Sequence, residues 1–187
     1  MIMATMDKDM SPTSHSAPDR LAAAIRFQIL ESTLGLVLIA ATEQGVCAIL
    51  FGDDPQALED DLRDRFPARA LLDGDDALTR IATRVLDFID AADGEADFPL
   101  DVSGTAFQQR VWQALRGVEA GSTASYKDIA ERIGNPNAVR AVARACAANP
   151  VAIAIPCHRV VRSDGSLSGY RWGIERKRAL LEREAGH

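Results

Sequence analysis

A break in the hydrophobic pattern between Ala91 and Gly104 divides the chain into two dissimilar parts. The segment is rich in Asp, Gly and Pro and has no periodic apolar stripe, which is typical of a boundary between two folding units. Before the break, short continuous apolar runs precede two stretches of helical spacing, and after it helical spacing begins again. Since neither pattern continues through the break, we expect an α/β (α+β) protein with two subdomains.

Apolar runs before the break predict three strands, over residues 24–31, 34–42 and 46–51. Only two or three residues join the runs, which favours an antiparallel meander. A helix is expected to start at Pro55, because Pro suits the first helical turn and apolar residues follow in steps of four. A second apolar stripe predicts a helix over residues 76–92, and both helices should pack on the sheet.

The N-terminus and the cysteines bear on the compartment and on metal binding. Residues 1–20 contain no apolar core, so they predict a disordered leader rather than a signal peptide. The longest apolar run, Leu34–Ala41, is far shorter than the stretch of about 20 residues that spans a membrane. Three widely spaced cysteines, Cys47, Cys146 and Cys157, fit neither a disulfide framework nor a zinc site. We expect a cytoplasmic protein with no membrane contact, no metal and no cofactor.

The charge changes sign at the same break. The whole chain has a net charge of -6, which by itself argues against a partner as anionic as nucleic acid. Residues 1–103 hold 8 Lys or Arg against 20 Asp or Glu, whereas residues 104–187 hold 13 against 7. The acidic total therefore conceals a basic second half.

The basic half carries the signals of three successive helices. Thr105 and Gln108 form a capping box at the start of the first helix, and Ser125 can cap the second. Gly134 ends that helix, and a third is predicted from Asn135 to about residue 148. Its inward residues are expected to be Ala138, Val139, Val142 and Ala143. Two helices joined by a Gly-containing turn are typical of a helix-turn-helix.

Arg140 and Arg144 lie four residues apart and therefore on one face of the third helix. Two arginines alone fit an ordinary solvated face. The basic balance of the whole segment and the preceding turn favour a surface that binds nucleic acid.

A short apolar run over residues 151–155 leads into Pro156-Cys157-His158. A cysteine beside a histidine can be a nucleophile with its base, although most cysteines in apolar surroundings are inert core residues. Adjacent side chains in a strand point to opposite faces. Cooperation between Cys157 and His158 therefore requires a backbone turn at this point, or a water that bridges the two groups.

The segment Ile155–Val160 resembles the active-site signature of the O6-alkylguanine-DNA alkyltransferases. The similarity extends through nearly all of residues 104–187 and more weakly into the first half. Two stretches, Cys146–Asn149 and Gly169–Gly173, resemble the alkyltransferase half of the bacterial adaptive-response branch of this family. That branch adds a zinc site of four cysteines that senses methylphosphotriesters, and three cysteines are too few for it, so this sensor function is not expected.

The resemblance implies a fold and a partner. Residues 21–98 would form a ribonuclease H-like subdomain with a small antiparallel sheet and flanking helices. Residues 99–187 would form a mostly helical, winged-helix or helix-turn-helix-like subdomain for DNA binding and catalysis. The implied partner is double-stranded DNA, bound in the minor groove with low sequence specificity by a monomer.

The resemblance also implies roles for individual residues. Cys157 matches the acceptor thiol, which takes an alkyl group irreversibly from O6 of guanine and less readily from O4 of thymine. His158 matches the residue that draws the thiol proton through a bound water, and Glu184 matches the carboxylate that orients this histidine. Tyr126 matches the tyrosine that pushes on the 3′ phosphate and helps neutralise the leaving base. The chemistry requires such a base, since a free cysteine is mostly thiol at neutral pH.

Other matches concern the DNA and the alkyl pocket. Arg140 matches the arginine that fills the gap left by the flipped nucleotide, and Asn149 matches the residue that ties the active-site turn to the helix-turn-helix. Tyr170 matches the lip of the alkyl pocket, and Lys177 matches a lysine with a structural role. Contacts to DNA or to the base are expected from Tyr126, Ala138, Arg140, Asn149, Tyr170 and Arg171.

The sequence departs from many relatives directly after Tyr170. Where they carry Ser-Gly-Gly, this chain has Arg171-Trp172-Gly173. The larger side chains predict a tighter pocket, which accepts methyl groups well and benzyl groups poorly.

Two other functions remain open from the residues. A helix-turn-helix protein could sense alkylated DNA without reacting, although non-catalytic relatives replace the cysteine that this chain keeps at position 157. A thiol hydrolase built on Cys157 and His158 is the third reading, and no oxyanion-hole motif supports it.

Overall fold

The computed structural model of the protein describes residues 24–91, 96–167 and 169–186. The predicted leader over residues 1–20 lies outside the described residues. No helix in these three ranges is long and apolar enough to cross a membrane.

The first half is built on a four-stranded sheet. Strands β1 (Ile25–Ser32), β2 (Gly35–Thr42) and β3 (Gly45–Gly52) form the predicted antiparallel meander. A fourth strand, β4 (Leu71–Asp73), pairs parallel to β1 and gives the order β3-β2-β1-β4. The sequence did not predict β4, because it has only three residues and its side chains are largely exposed.

Two helices cover the sheet as predicted. Helix α1 (Pro55–Arg65) begins where the Asp54 side chain accepts a hydrogen bond from the Ala57 amide at 2.7 Å. Helix α2 (Asp76–Ala91) begins in the same way, with the Asp75 side chain as the acceptor. Their buried stripes are Leu58 and Leu62 in α1, and Leu78, Ala82, Val85 and Ile89 in α2. The helices therefore bury the apolar faces that their periodicity indicated.

The second half is mostly helical, with a two-stranded parallel sheet. Its elements are α3 (Ala106–Arg116), β5 (Ala124–Ser125), α4 (Tyr126–Arg132), α5 (Val139–Ala147), β6 (Val160–Val161) and α6 (Ile174–Ala185). Capping boxes start α3 at Thr105 and α4 at Ser125, and the Ser125 box is closed by Asp128. The mixed α+β architecture and the successive helices are thus confirmed.

Helix α5 corrects two details of the prediction. It begins at Val139 rather than Asn135, because the Asn135 amide donates to the Ala130 carbonyl at 2.9 Å and so belongs to the end of α4. A residue before proline also disfavours helical geometry. Val139 was expected to face inward but is exposed, whereas Ala145 and Cys146, one to two turns further on, are buried.

The two halves share one hydrophobic core. The segment that leads to Cys157 lies along the free edge of β3, where the Ile49 amide donates to the Pro150 carbonyl at 2.9 Å. The Ala152 amide donates back to the Ile49 carbonyl at 3.0 Å. The sheet of the first half therefore fixes the position of residues 150–152, which lead to Cys157 in the second half.

Candidate active site

The chain turns sharply where Cys157 and His158 lie. Residues Cys157–Arg159 form one turn of 3₁₀ helix, so the two neighbouring side chains are not on opposite faces of a strand. Upstream, Ile153 has a φ of 67°, an uncommon conformation for a β-branched residue and a sign of local strain. The backbone turn that cooperation of Cys157 with His158 requires is therefore present.

Asn149 holds this turn from inside. It follows α5 directly and is completely buried. Its Oδ1 accepts a hydrogen bond from the Val151 amide at 3.0 Å, and its Nδ2 donates to the Ile155 carbonyl at 2.8 Å. The same Nδ2 lies 3.3 Å from the Cys157 Sγ. One amide side chain thus links the end of the helix-turn-helix, the turn and the thiol.

The Cys157 thiol is buried and uncharged in the resting protein. Burial raises the pKa of Cys157 from 9.0 to about 11, although the Asn149 hydrogen bond and the nearby Lys177 act in the opposite direction. The thiol therefore needs a base at the moment of reaction.

His158 is suited to be that base. Its Nε2 lies 2.7 Å from Glu184 Oε1, and the imidazole is completely buried. Burial lowers the pKa of His158 below 6.5, although Glu184 opposes this shift. We assign the proton to Nε2 because a carboxylate can only accept a hydrogen bond. Nδ1 then carries a lone pair and has no partner in the described residues, so it can take up a proton.

Arg159 is a member of the site that the sequence did not single out. Its Nε donates to both carboxylate oxygens of Glu184 at 3.1 Å, and its Nη2 donates to Oε1 at 2.9 Å. The remaining Nη1 donates to the Val118 carbonyl at 2.5 Å. Burial alone would raise the pKa of Glu184, but the hydrogen bonds from His158 and Arg159 outweigh it and lower this pKa. Glu184 is thereby kept ionised next to the imidazole.

Lys177 and Cys146 lie on the buried side of the same site. Lys177 is completely buried and its Nζ donates to the Val160 carbonyl at 2.5 Å, which fits the structural role implied by its match. Burial lowers the pKa of Lys177, and both thiols oppose that shift. Burial raises the pKa of Cys146, and the neighbouring Cys157 raises it further. Cys47 is buried in β3, in the core of the first half.

An aromatic cluster borders the histidine. The Tyr170 ring meets His158 edge to face at 6.5 Å between centroids, and Trp172 meets Tyr170 in the same manner at 5.2 Å. Both aromatic side chains are buried. Arg171, between them in sequence, turns away and pairs with Asp61 of α1 at 2.5 Å. The structure therefore brings Tyr170 to the site but leaves Arg171 engaged with the first half.

Three of the residues expected to contact DNA, Tyr126, Ala138 and Arg140, lie on α4 and α5 or next to them. Tyr126 is half-buried at the first position of α4, and Ala138 is half-buried directly before α5. Arg140 and Arg144 are exposed on α5. Within the described ranges, no group of three or more His, Cys, Asp or Glu side chains could hold a metal ion.

A buried thiol beside a histidine–carboxylate pair, next to a helix-turn-helix with exposed arginines, combines a candidate nucleophile with a candidate DNA-binding surface. The sequence profile described as 6-O-methylguanine DNA methyltransferase, DNA binding domain, matches residues 106–186. The inducible methylated-DNA–protein-cysteine methyltransferase of Bacillus subtilis is 42% identical over 147 residues, which cover 78% of this chain and 82% of the relative. The chain belongs to the methylated-DNA–protein-cysteine methyltransferase family.

Other relatives agree with this membership. The bifunctional transcriptional activator/DNA repair enzyme Ada of Escherichia coli is 51% identical over 162 residues, which cover 87% of this chain and 46% of Ada. The chain therefore spans about half the length of that relative. A crystal structure of Mycobacterium tuberculosis OGT in complex with DNA superimposes with a TM-score of 0.70 at 36% identity, covering 86% of this chain and 93% of that chain.

Proposed function

We propose that this chain repairs alkylated DNA by moving a methyl group from O6 of guanine, and less readily from O4 of thymine, onto its own Cys157. The observation that carries the proposal is the catalytic turn, which holds the Cys157 thiol at Asn149 beside a histidine fixed by Glu184. Relatives of this chain are named methylated-DNA–protein-cysteine methyltransferases, which supports the substrate class. The methyl group stays on the sulfur as a thioether and no thiol is regenerated, so each molecule reacts once.

The reaction begins with transfer of the thiol proton to His158 Nδ1 across one bridging water. Glu184 stabilises the resulting imidazolium through Nε2. The sulfur electron pair then forms a bond to the methyl carbon while the bond from that carbon to O6 breaks. The electron pair of the broken bond stays on the base, which takes the proton back and leaves as ordinary guanine. Atoms and charge therefore balance without a cofactor.

The DNA surface that we propose is formed by α4 and α5. The exposed Arg140 would enter the base stack, and Tyr126 would contact the flipped nucleotide from the start of α4. Flipping a base costs a few kcal/mol, and both residues would offset part of that cost. Minor-groove binding by a monomer with little sequence preference suits a protein that must inspect any sequence for damage.

The buried Trp172 narrows the alkyl pocket in this proposal, because it occupies space beside Tyr170 that a bulky adduct would need. We expect efficient reaction with methyl groups and slow reaction with benzyl groups. Rapid loss of activity on incubation with free O6-benzylguanine would contradict this expectation.

The proposed activity is tested by mass spectrometry of the intact protein after incubation with a duplex that contains O6-methylguanine. The wild type should gain the mass of one methyl group per molecule, and peptide mapping should place it on Cys157. Cys157→Ser should gain none, whereas Cys146→Ser, which removes the neighbouring buried thiol, should still react. A wild type that binds the lesion but gains no mass would instead indicate a non-catalytic lesion sensor.

A further inference from the structure

Three buried polar atoms at the catalytic turn have no hydrogen-bond partner among the described residues: His158 Nδ1, Tyr170 Oη and Trp172 Nε1. They belong to rings that contact each other in series. In the described ranges only Gln28 Nε2 and Arg65 Nη2 are also buried without a partner, and both lie in the first half. Since a buried polar group without a partner carries an uncompensated desolvation cost, three of them in one cluster require an explanation.

Proton transfer accounts for His158 Nδ1 but not for the other two atoms. The indole of Trp172 can only donate, and the Tyr170 hydroxyl can donate. Trp172 is 4% exposed and Tyr170 is 9% exposed, so bulk water does not reach them freely. The other tryptophan, Trp112, is equally buried, yet its Nε1 donates to the Ala145 carbonyl at 2.9 Å. The fold satisfies the indole N–H of Trp112, whereas that of Trp172 is left without a partner in the aromatic cluster that borders His158.

The unpartnered hydroxyl belongs to the ring that contacts His158, the neighbour of Cys157 in the chain. Burial raises the pKa of Tyr170 well above 10, and the Cys157 thiolate raises it further. The hydroxyl therefore keeps its proton at neutral pH and remains a donor. Arg171, the residue between the two aromatic side chains, is held by Asp61 and does not supply a donor in their place.

We propose that Trp172 Nε1–H and the Tyr170 hydroxyl donate hydrogen bonds to the oxygen of the departing base. This inference rests on the proposed function and assigns the groups that stabilise its leaving group. While the sulfur–carbon bond forms and the carbon–oxygen bond breaks, negative charge grows on that oxygen. Hydrogen bonds to a charged acceptor are roughly twice as strong as neutral ones, so these donors stabilise the transition state more than the bound substrate.

The test is the single-turnover rate of methyl transfer from a duplex with O6-methylguanine, measured for the wild type, Trp172→Phe and Tyr170→Phe. Each variant removes one donor and keeps an aromatic ring. We expect each rate to fall on the order of 100-fold to 1,000-fold, the size of effect seen when one oxyanion donor is lost. Trp112→Phe is the matched control: it loses a bonded N–H, so its unfolding temperature should fall while its rate per folded molecule stays unchanged.

A second substrate separates hydrogen bonding from changed packing. In S6-methyl-6-thioguanine the leaving atom is sulfur, which accepts hydrogen bonds weakly. With this substrate, Trp172→Phe and Tyr170→Phe should therefore lower the single-turnover rate by less than about 3-fold. This is well below the fall in rate caused by losing an oxyanion donor. Equal penalties with the oxygen and sulfur substrates, or wild-type rates in both variants, would overturn the proposal. If the wild type itself gained no methyl group, the proposed function would fail instead.

Discussion

Arg159 and His158 bind the same carboxylate, that of Glu184. The Arg159 side chain controls both the position and the ionisation of this carboxylate. Arg159 occupies both oxygens of Glu184, and its fourth hydrogen bond holds Val118 in the segment that leads to α4. Because His158 contacts only Oε1, the imidazole finds the carboxylate already oriented. We therefore regard Arg159 as a positioning residue for proton transfer.

Replacing Arg159 by methionine should lower both stability and reactivity. Removing one partner of a buried ion pair typically costs about 3–5 kcal/mol, and Glu184 would be left with the imidazole as its main partner. Arg159→Lys keeps the charge but loses the planar fork, so its loss of stability should be smaller. Chemical denaturation measures these changes, and the exposed Arg144→Met serves as the control. A fully stable Arg159→Met protein would contradict the assigned role.

The pH dependence of methyl transfer gives a second readout for Arg159. In the wild type, burial lowers the pKa of His158, so the base stays neutral and the rate should stay constant as the pH falls through 6.5. Arg159 also lowers this pKa, and its removal should raise it. The acidic decline of the rate should therefore begin at higher pH in Arg159→Met than in the wild type. Identical profiles, measured per folded molecule, would show that Arg159 has only a structural role.

Among the residues of the site, the sequence predicted those that are neighbours in the chain. Cys157 and His158 are neighbours in the chain, and the 3₁₀ turn supplies the backbone bend that their cooperation requires. Arg159 could have been noticed as a charged residue inside an otherwise apolar run. Its partner Glu184 is 25 residues away, and such a distant ion pair has no signature in sequence. The unpartnered Tyr170 and Trp172 likewise depend on how the aromatic rings pack.

At the element scale, the turn between α4 and α5 depends on backbone geometry rather than on side-chain contacts. Gly134 has a φ of +72°, and a methyl group added there would meet nothing within 4 Å. The amides of Gly134 and Asn135 donate to Glu131 and Ala130 at 2.9 Å, which closes the end of α4. The left-handed conformation at Gly134 is therefore what sets α5 apart from α4.

Gly134→Ala should destabilise the protein by about 1–2 kcal/mol, the cost of the left-handed conformation for a residue with a Cβ. Gly117→Ala is the matched control, because Gly117 ends α3 with a φ of -81° and an added Cβ would lie 3.5 Å from the Ala114 carbonyl, an ordinary contact. Its effect should stay within about 0.5 kcal/mol. Thermal unfolding of both variants measures the difference. Equal losses in the two would mean that backbone conformation does not decide the turn.

The elements that the sequence missed lack the usual apolar pattern. Helix α6 buries Lys177, Leu180 and Glu184, so two of its three buried residues are charged and the stripe that indicates a helix is absent. Strand β4 is too short for alternation to be visible. By contrast, α3 and α4 begin at N-cap residues, Thr105 and Ser125, that can be recognised from the sequence. Local signals therefore predicted where helices start. They could not predict α6, whose buried residues are mostly charged, or the short β4.

At the scale of the whole molecule, the two halves should unfold together. The core is continuous between them, and Ile49 of β3 is hydrogen-bonded to the catalytic segment at Pro150 and Ala152. Indole fluorescence reports on Trp112 and Trp172 in the second half, and hydrogen exchange of the β2 amides reports on the first. We expect one free energy of unfolding from both measurements. A β2 that exchanges through a separate, less stable transition would contradict the shared core.

The separation of charge should appear in DNA binding. The net charge of -6 opposes association with DNA, but the exposed arginines of α5 lie in the half with excess positive charge. Affinity for an undamaged duplex should therefore be modest and should fall steeply with salt, because bound phosphates release counterions. Replacing one phosphate-contacting arginine reduces the salt slope by about 1. We expect this change for Arg144→Ala, and no change for Arg80→Ala, which removes an equally exposed arginine from α2. Fluorescence anisotropy over a salt series measures the slopes, and equal slopes in the two variants would exclude α5 as the DNA-binding face.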